Sequence, residues 1–316
     1  MMKMLSILTC LVLLTEALPA QNETPVVVVA SKGKVRYIPP ADAKTIKALP
    51  GAVVKKNGTI KMSSGATAVL YNDGRFQRLQ GKGKKELSAV FNDANALSSL
   101  NFDPQFGQYV QAAVELTASK RGKDGWGTAV TDPTKSGDGW GGMGARITLI
   151  LPYGKVVPEM VTFSWSRPAN ATRYQLDILD DNKRPVHSAT VTDTSAAIDL
   201  RKLNLMPGLT YSWKVSVPGS AEQVSGVRDF TVGTAEDLAK TRKKATNSNI
   251  YPDGDPVLCG VMEAVALEKA EWYYAAAQTY AALFRKYSNN NMLRMSYAAF
   301  WMRYRMEPKA KAVMMN

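Results

Sequence analysis

The sequence predicts a multidomain chain, mainly β with α: two β units in series, then a helical C-terminal region. Three observations predict it. Short apolar runs cut by glycine turns fill residues 33–88. About seven alternating runs follow between residues 147 and 233. From residue 234 onward, apolar residues recur at three- and four-residue steps. The chain's 316 residues suffice for two or three domains, and 45% hydrophobic with 21% charged is the composition of a folded protein.

Residues 1–20 read as a signal peptide. Lys3 supplies a positive start, Leu5 to Leu14 an apolar core, and Leu18-Pro19-Ala20 a small residue at the cut, placing cleavage after Ala20. The apolar core is too short to span a bilayer, and no later segment reaches that length. The expectation is an exported protein, periplasmic or outer-membrane-associated and peripheral to a membrane at most. Cys10 leaves with the leader. Cys259 alone cannot close an internal disulfide, and its apolar run, Val257 to Val265, suggests a small core residue.

The first β unit takes residues 21–88. Its leading run, Val26 to Ala30, is suited to adding a strand or to pairing with a partner. Strand-like pieces follow at Lys34 to Ile38, Ala52 to Val54, Thr59 to Met62, Ala66 to Tyr71 and Phe76 to Leu79. Turn pairs separate them: Pro50-Gly51, Asn57-Gly58, Ser64-Gly65 and Asp73-Gly74. That makes a unit of roughly five strands. Leu49-Pro50-Gly51-Ala52-Val53-Val54 and Gly65 to Gly74, with Arg75 to Leu79 after them, resemble the FecR-type β domain of bacterial envelope proteins. The family's usual acidic residue is replaced by Ala52. The resemblance implies an exported binding or signalling module of Bacteroidota-like source and supplies no catalytic residue.

Residues 89–146 read as a helical linker and a Gly/Trp-rich loop. Leu87, Val90, Phe91, Ala94, Leu97 and Leu100 mark a helix face, and Phe106 to Leu116 a second helix. Asp124-Gly125-Trp126-Gly127 is echoed by Asp138-Gly139-Trp140-Gly141. Trp126 and Trp140 offer rings for sugar stacking or partner insertion, or cover for neighbouring apolar surface. The Asp spacing is not that of a known calcium loop.

Residues 147–233 predict a sandwich. Its strands fall at Ile147 to Leu151, Val161 to Trp165, Tyr174 to Leu179, His187 to Asp193, Ala197 to Leu200, Tyr211 to Val217 and Val227 to Val232. Trp165, then Tyr174, then Leu205-Met206-Pro207-Gly208-Leu209-Thr210-Tyr211-Ser212-Trp213-Lys214-Val215 resemble a fibronectin type III or related immunoglobulin-like domain. The resemblance implies a tyrosine corner at Tyr211 and is silent on function.

Residues 234–316 are helical. Thr234 is placed to cap a first helix, residues 247–256 form a turn-rich break, and Val257 to Ala270, Tyr273 to Tyr287 and Met292 to Arg305 give three more. Ala264, Leu267, Tyr273, Ala276, Tyr280 and Leu283 resemble one tetratricopeptide hairpin, with Glu271 where glycine is usual and Ser288-Asn289-Asn290 at the closing turn. One such unit needs neighbours to bury its faces. Trp272, Tyr274, Trp301 and Tyr304 are therefore candidate lining for a partner groove, or core.

Chemistry is sparse. His187 is the only histidine, which removes histidine triads and His-rich metal sites. No phosphate loop, dinucleotide fingerprint or nucleophile elbow occurs, and Asp180-Asp181 reads as a turn. No catalytic, cofactor or metal residue is assigned. Charge is uneven. Residues 21–100 carry 13 Lys and Arg against 5 Asp and Glu, a net of +8 within a total of +13. Residues 158–233 are neutral, and residues 234–316 carry +4. In an exported chain this excess points to an anionic envelope polymer, lipid head groups or an acidic protein face rather than nucleic acid, or serves solubility alone. The functional expectation is a non-catalytic envelope adaptor or scaffold with a protein partner. The alternatives are a glycan or peptidoglycan binder using Trp126 and Trp140, and a FecR-like signalling component.

Overall fold

The computed structural model describes residues 25–40, 44–73, 75–92, 147–168, 170–246 and 255–315. The predicted leader, the second linker helix and both loop tryptophans lie outside the described residues.

Eight strands build the first unit: β1 (Val26–Lys32), β2 (Val35–Ile38), β3 (Ile46–Lys47), β4 (Val53–Val54), β5 (Thr59–Met62), β6 (Thr67–Asn72), β7 (Arg75–Gln80) and β8 (Gly83–Glu86). They form two antiparallel four-stranded sheets. The inner sheet has the order β4-β1-β6-β7 and the outer sheet β3-β2-β5-β8. Val26, Val28, Val35, Tyr37, Ile60, Met62, Leu70 and Leu79 meet between them, with Leu87 and Phe91 of the short helix α1 (Leu87–Asn92) closing the core. The unit thus has more strands than the five read from apolar runs. β3 is too short to alternate, and β8 is Gly-Lys-Lys-Glu, an exposed edge with no apolar signal.

β1 explains its own composition. Val26 and Val28 point into the unit's core, whereas Val27, Val29 and Ala30 point away from it into a second core shared with the C-terminal helices. A strand covered on both faces has no polar side to show, so its sequence is a continuous valine run.

The second unit has β9 (Leu149–Leu151), β10 (Gly154–Val156), β11 (Met160–Trp165), β12 (Tyr174–Leu179), β13 (Pro185–Val191), β14 (Ser195–Asp199), β15 (Thr210–Ser216) and β16 (Arg228–Val232). One sheet runs β14-β11-β9 and the other β10-β16-β15-β12-β13, with β10 parallel to β16 and the other pairs antiparallel. This is a fibronectin-like sandwich. Phe163, Trp165, Tyr174, Leu176, Trp213 and Phe230 fill it. The Met206 N–H donates to the Tyr211 hydroxyl at 3.1 Å, which makes the tyrosine corner at the start of β15. Asp180 closes the β12–β13 turn by accepting from the Arg184 backbone N–H at 2.8 Å. That bond is the main cause holding its carboxyl below the ordinary value.

Five helices follow: α2 (Ala235–Thr246), α3 (Pro256–Lys269), α4 (Tyr273–Tyr287), α5 (Asn291–Arg303) and α6 (Glu307–Met315). Their starts obey capping chemistry. Thr234 accepts from the Asp237 N–H at 3.1 Å, Asp255 from Val257 and Leu258 at 2.9 and 3.1 Å, and Asn290 from Leu293 at 3.1 Å. The region has one helix more than the four read from the sequence, and that helix, α6, adds Ala310 and Val313 to the shared core. Cys259, on α3, is half-buried. Among the described residues, no helix is long and apolar enough to cross a membrane.

Candidate functional site

The turn between α3 and α4, residues 270–272, carries much of the contact between helices and sandwich. Glu271 sits there at φ +66°, the left-handed conformation that glycine takes most easily. The turn approaches β10 closely. The Lys155 N–H donates to the Glu271 carbonyl at 2.7 Å, and the Lys155 ammonium to the Ala270 carbonyl at 3.1 Å. Gly154 permits this approach: a β-carbon there would overlap the Glu271 carbonyl and stand 2.5 Å from the Tyr273 ring.

The four aromatic candidates of the helical region are all packed within the chain. Trp272 is 2% exposed and abuts Gly233, the residue after β16. Tyr274 is buried in the sandwich core, where its hydroxyl accepts from the Thr162 N–H of β11 at 2.9 Å. Trp301 is buried in the helical core against Phe300, with Lys309 5.4 Å above its ring. Tyr304 is half-buried and packs with Tyr153 and Tyr273 at 5.0 and 4.9 Å. The predicted groove is therefore occupied by the chain's own sandwich and helices. Helical spacing shows that a face is apolar, and it does not show what covers it.

A buried ion pair braces the same junction. The Glu268 side chain is 1% exposed and accepts from Arg303 Nε and Nη2 at 2.6 and 2.7 Å, and from the Tyr304 hydroxyl at 3.0 Å. On the sandwich side, Tyr153 stacks on Tyr273 at 4.5 Å, with the Arg228 guanidinium 5.0 Å from its centroid. Burial first, then the negative charge of Glu268, pushes the Tyr153 and Tyr304 phenols far above their ordinary value. All three phenols in the cluster stay protonated at neutral pH and act as apolar rings with a polar tip. This arrangement holds two parts together.

The other end of the helical region meets the inner sheet. Val27, Val29, Ala30, Val69, Tyr71 and Phe76 share one core with α3 to α6. Gly51 lies against the start of α5, where a β-carbon would stand 2.5 Å from the Met292 nitrogen.

The outer sheet carries the chain's basic excess in an ordered form. Lys47 pairs with Arg36, Arg36 with Lys61, and Lys61 with Lys84. Directly opposed residues share a face, so four cations form one row across four strands, and all four are exposed. Among the described residues, no carboxylate lies within ion-pair distance of any of them. The unequal charge was readable in the sequence. The row was not, because it depends on register between strands that carry few apolar residues. Among the described residues, no cluster of three or more His, Cys, Asp or Glu is placed to hold a metal ion.

No known protein-family profile matches the chain, and no curated protein matches it. Among solved structures it is similar to the chicken CNTN1 FN1–FN3 domains, at 11% identity and a TM-score of 0.22 over 67% of this chain and 55% of that one. It is similar to the Clostridium thermocellum CbhA fibronectin(III)-like modules at 12% identity and a TM-score of 0.20, over 68% of this chain and 80% of that one. A Faecalibacterium prausnitzii β-glucuronidase is similar at 11% identity and a TM-score of 0.22, over 91% of this chain and 60% of its own. The chain thus spans little more than half of the CNTN1 fragment. These likenesses are too low to carry an argument, and the sandwich is assigned on its strand order and tyrosine corner.

Proposed function

We propose that the protein is a non-catalytic adaptor of the bacterial cell envelope, with its two β units presenting binding faces on a shared helical support. The observation that carries this reading is where the apolar surface of the helices goes. It is spent within the chain, against the inner sheet on one side and against the sandwich on the other. The adaptor's outward faces are then the basic row of the outer sheet and the β13 edge of the sandwich. The helices stand beside β10, the other edge strand of that sheet. β13 is exposed at Pro185, Val186, Ser188 and Thr190, and an open edge of this kind is suited to pairing with a partner strand.

The leader-like residues 1–20 support export, and the FecR-type resemblance supports an envelope setting. The non-catalytic reading is supported by the buried carboxylate Glu268, which is held by Arg303 and Tyr304. Photo-crosslinking residues placed at Lys61 and at Ser188 in cells test the proposal. It expects a defined envelope partner at each face, with the mature chain beginning after Ala20. A cytosolic chain retaining residues 1–20, or no defined partner at either face, would contradict it.

A further inference from the structure

We propose that the outer face of the β3-β2-β5-β8 sheet is a docking strip for a linear polyuronate, a polysaccharide with one carboxylate on each sugar. This rests on the adaptor reading only in taking that face as a binding face. Three successive like-charged pairs, Lys47–Arg36, Arg36–Lys61 and Lys61–Lys84, oppose one another across the sheet. Such pairs destabilise a sheet. Protection of open edges explains cations on the edge strands β3 and β8. It does not explain Arg36 and Lys61 on the central strands, and solubility would be served equally by alternating signs.

The geometry of the row selects the occupant. Neighbouring strands lie about 4.8 Å apart, so the four cations repeat at that interval along a line of about 14 Å. A polymer with one carboxylate per monomer can meet them in turn, with Arg36 able to engage a carboxylate through two N–H groups. The next row on the same face, Ile38–Thr59–Glu86, has no cation and ends on a carboxylate. The exposed Lys34 and Lys82, in turns beside β2 and β8, widen the strip on its other side. An anionic bilayer would gain from exposed apolar side chains beside the cations, and the row lacks them: Ile38 is half-buried, and the exposed Ile46 is registered with Tyr37, on the other face of the sheet. Single-stranded nucleic acid would gain from aromatic platforms, and Tyr37, the aromatic residue of these strands, is buried on the opposite side.

Calorimetric titration of the full-length mature chain with oligogalacturonate tests the proposal. Binding is expected, weakening with added salt. The exposed double variant Arg36→Gln/Lys61→Gln is expected to lose about tenfold or more in affinity. A control, Arg173→Gln/Lys240→Gln, removes the same charge from exposed sites elsewhere and should leave binding unchanged. Thermal unfolding checks that each variant is folded. Equal loss in both double variants would overturn the strip. So would tighter binding to an oligodeoxynucleotide or to phosphatidylglycerol vesicles than to oligogalacturonate. If oligogalacturonate does not bind while a crosslinker at Lys61 still captures a defined protein, the polyuronate is overturned and the adaptor stands.

Discussion

Lys61 sits where two demands on the outer sheet conflict. It opposes Arg36 on one side and Lys84 on the other. Lys61→Thr relieves both like-charge contacts and places a β-branched residue on a central strand, so it should stabilise the protein by about 0.5–1 kcal/mol at low salt. Urea unfolding should show that gain shrinking as salt is added, because screening weakens the repulsion that was removed. A loss of stability would mean that the lysine has a partner in the native protein. Glu268 presents the opposite case. Removing one member of a buried, bidentate pair strands the other, so Glu268→Ala should cost about 3–5 kcal/mol, read from urea midpoints. Replacing Glu268 and Arg303 together by Met should recover a large part of that cost. The tyrosines beside the pair add a pH dependence. Burial raises the phenol pKa of Tyr153, Tyr273 and Tyr304 in the folded chain above the ordinary 10.0. The folded chain then holds protons that the unfolded chain releases above that value, so their contribution is complete below pH 10 and is lost as pH rises beyond it. Thermal midpoints should therefore fall above about pH 10, and less steeply in Tyr153→Phe.

At the scale of elements, close approach decides what fits. Gly154 combines φ +67° with a β10 backbone pressed against the Glu271 carbonyl, so Gly154→Ala meets both strain and overlap. A loss of about 2 kcal/mol or more in unfolding free energy is expected, against a few tenths at an exposed turn glycine such as Gly208 substituted by Asn. The elements legible in the sequence are those whose burial leaves a period. β11, β12 and β15 were legible because one face is core, and the fibronectin-like resemblance around Tyr211 implied a tyrosine corner, whose donor proves to be the Met206 N–H. β3, β8 and β10 are short or polar and are held by their neighbours rather than by their own pattern. α6 hides behind Pro308, which is tolerated because it lies in the first helical turn. Trp272, Tyr274, Trp301 and Tyr304 were legible as an apolar surface. Their cover was not, since it comes from strands and turns more than a hundred residues away in the cases of Tyr274 and Tyr304.

At the scale of the whole molecule, the helical region acts as the common support. It shares a core with β1, β6 and β7 at one end and reaches the sandwich through Trp272, Tyr273 and Tyr274 at the other. Multidomain chains commonly unfold in separate steps, and a shared core couples those steps. The most direct measurement is urea unfolding followed by two reporters, one in the outer sheet and one in the sandwich, alongside helical circular dichroism. The account predicts coincident midpoints in the wild-type chain and a joint shift of all three signals in Trp272→Ala. Three separate transitions, with Trp272→Ala moving only the helical signal, would contradict it.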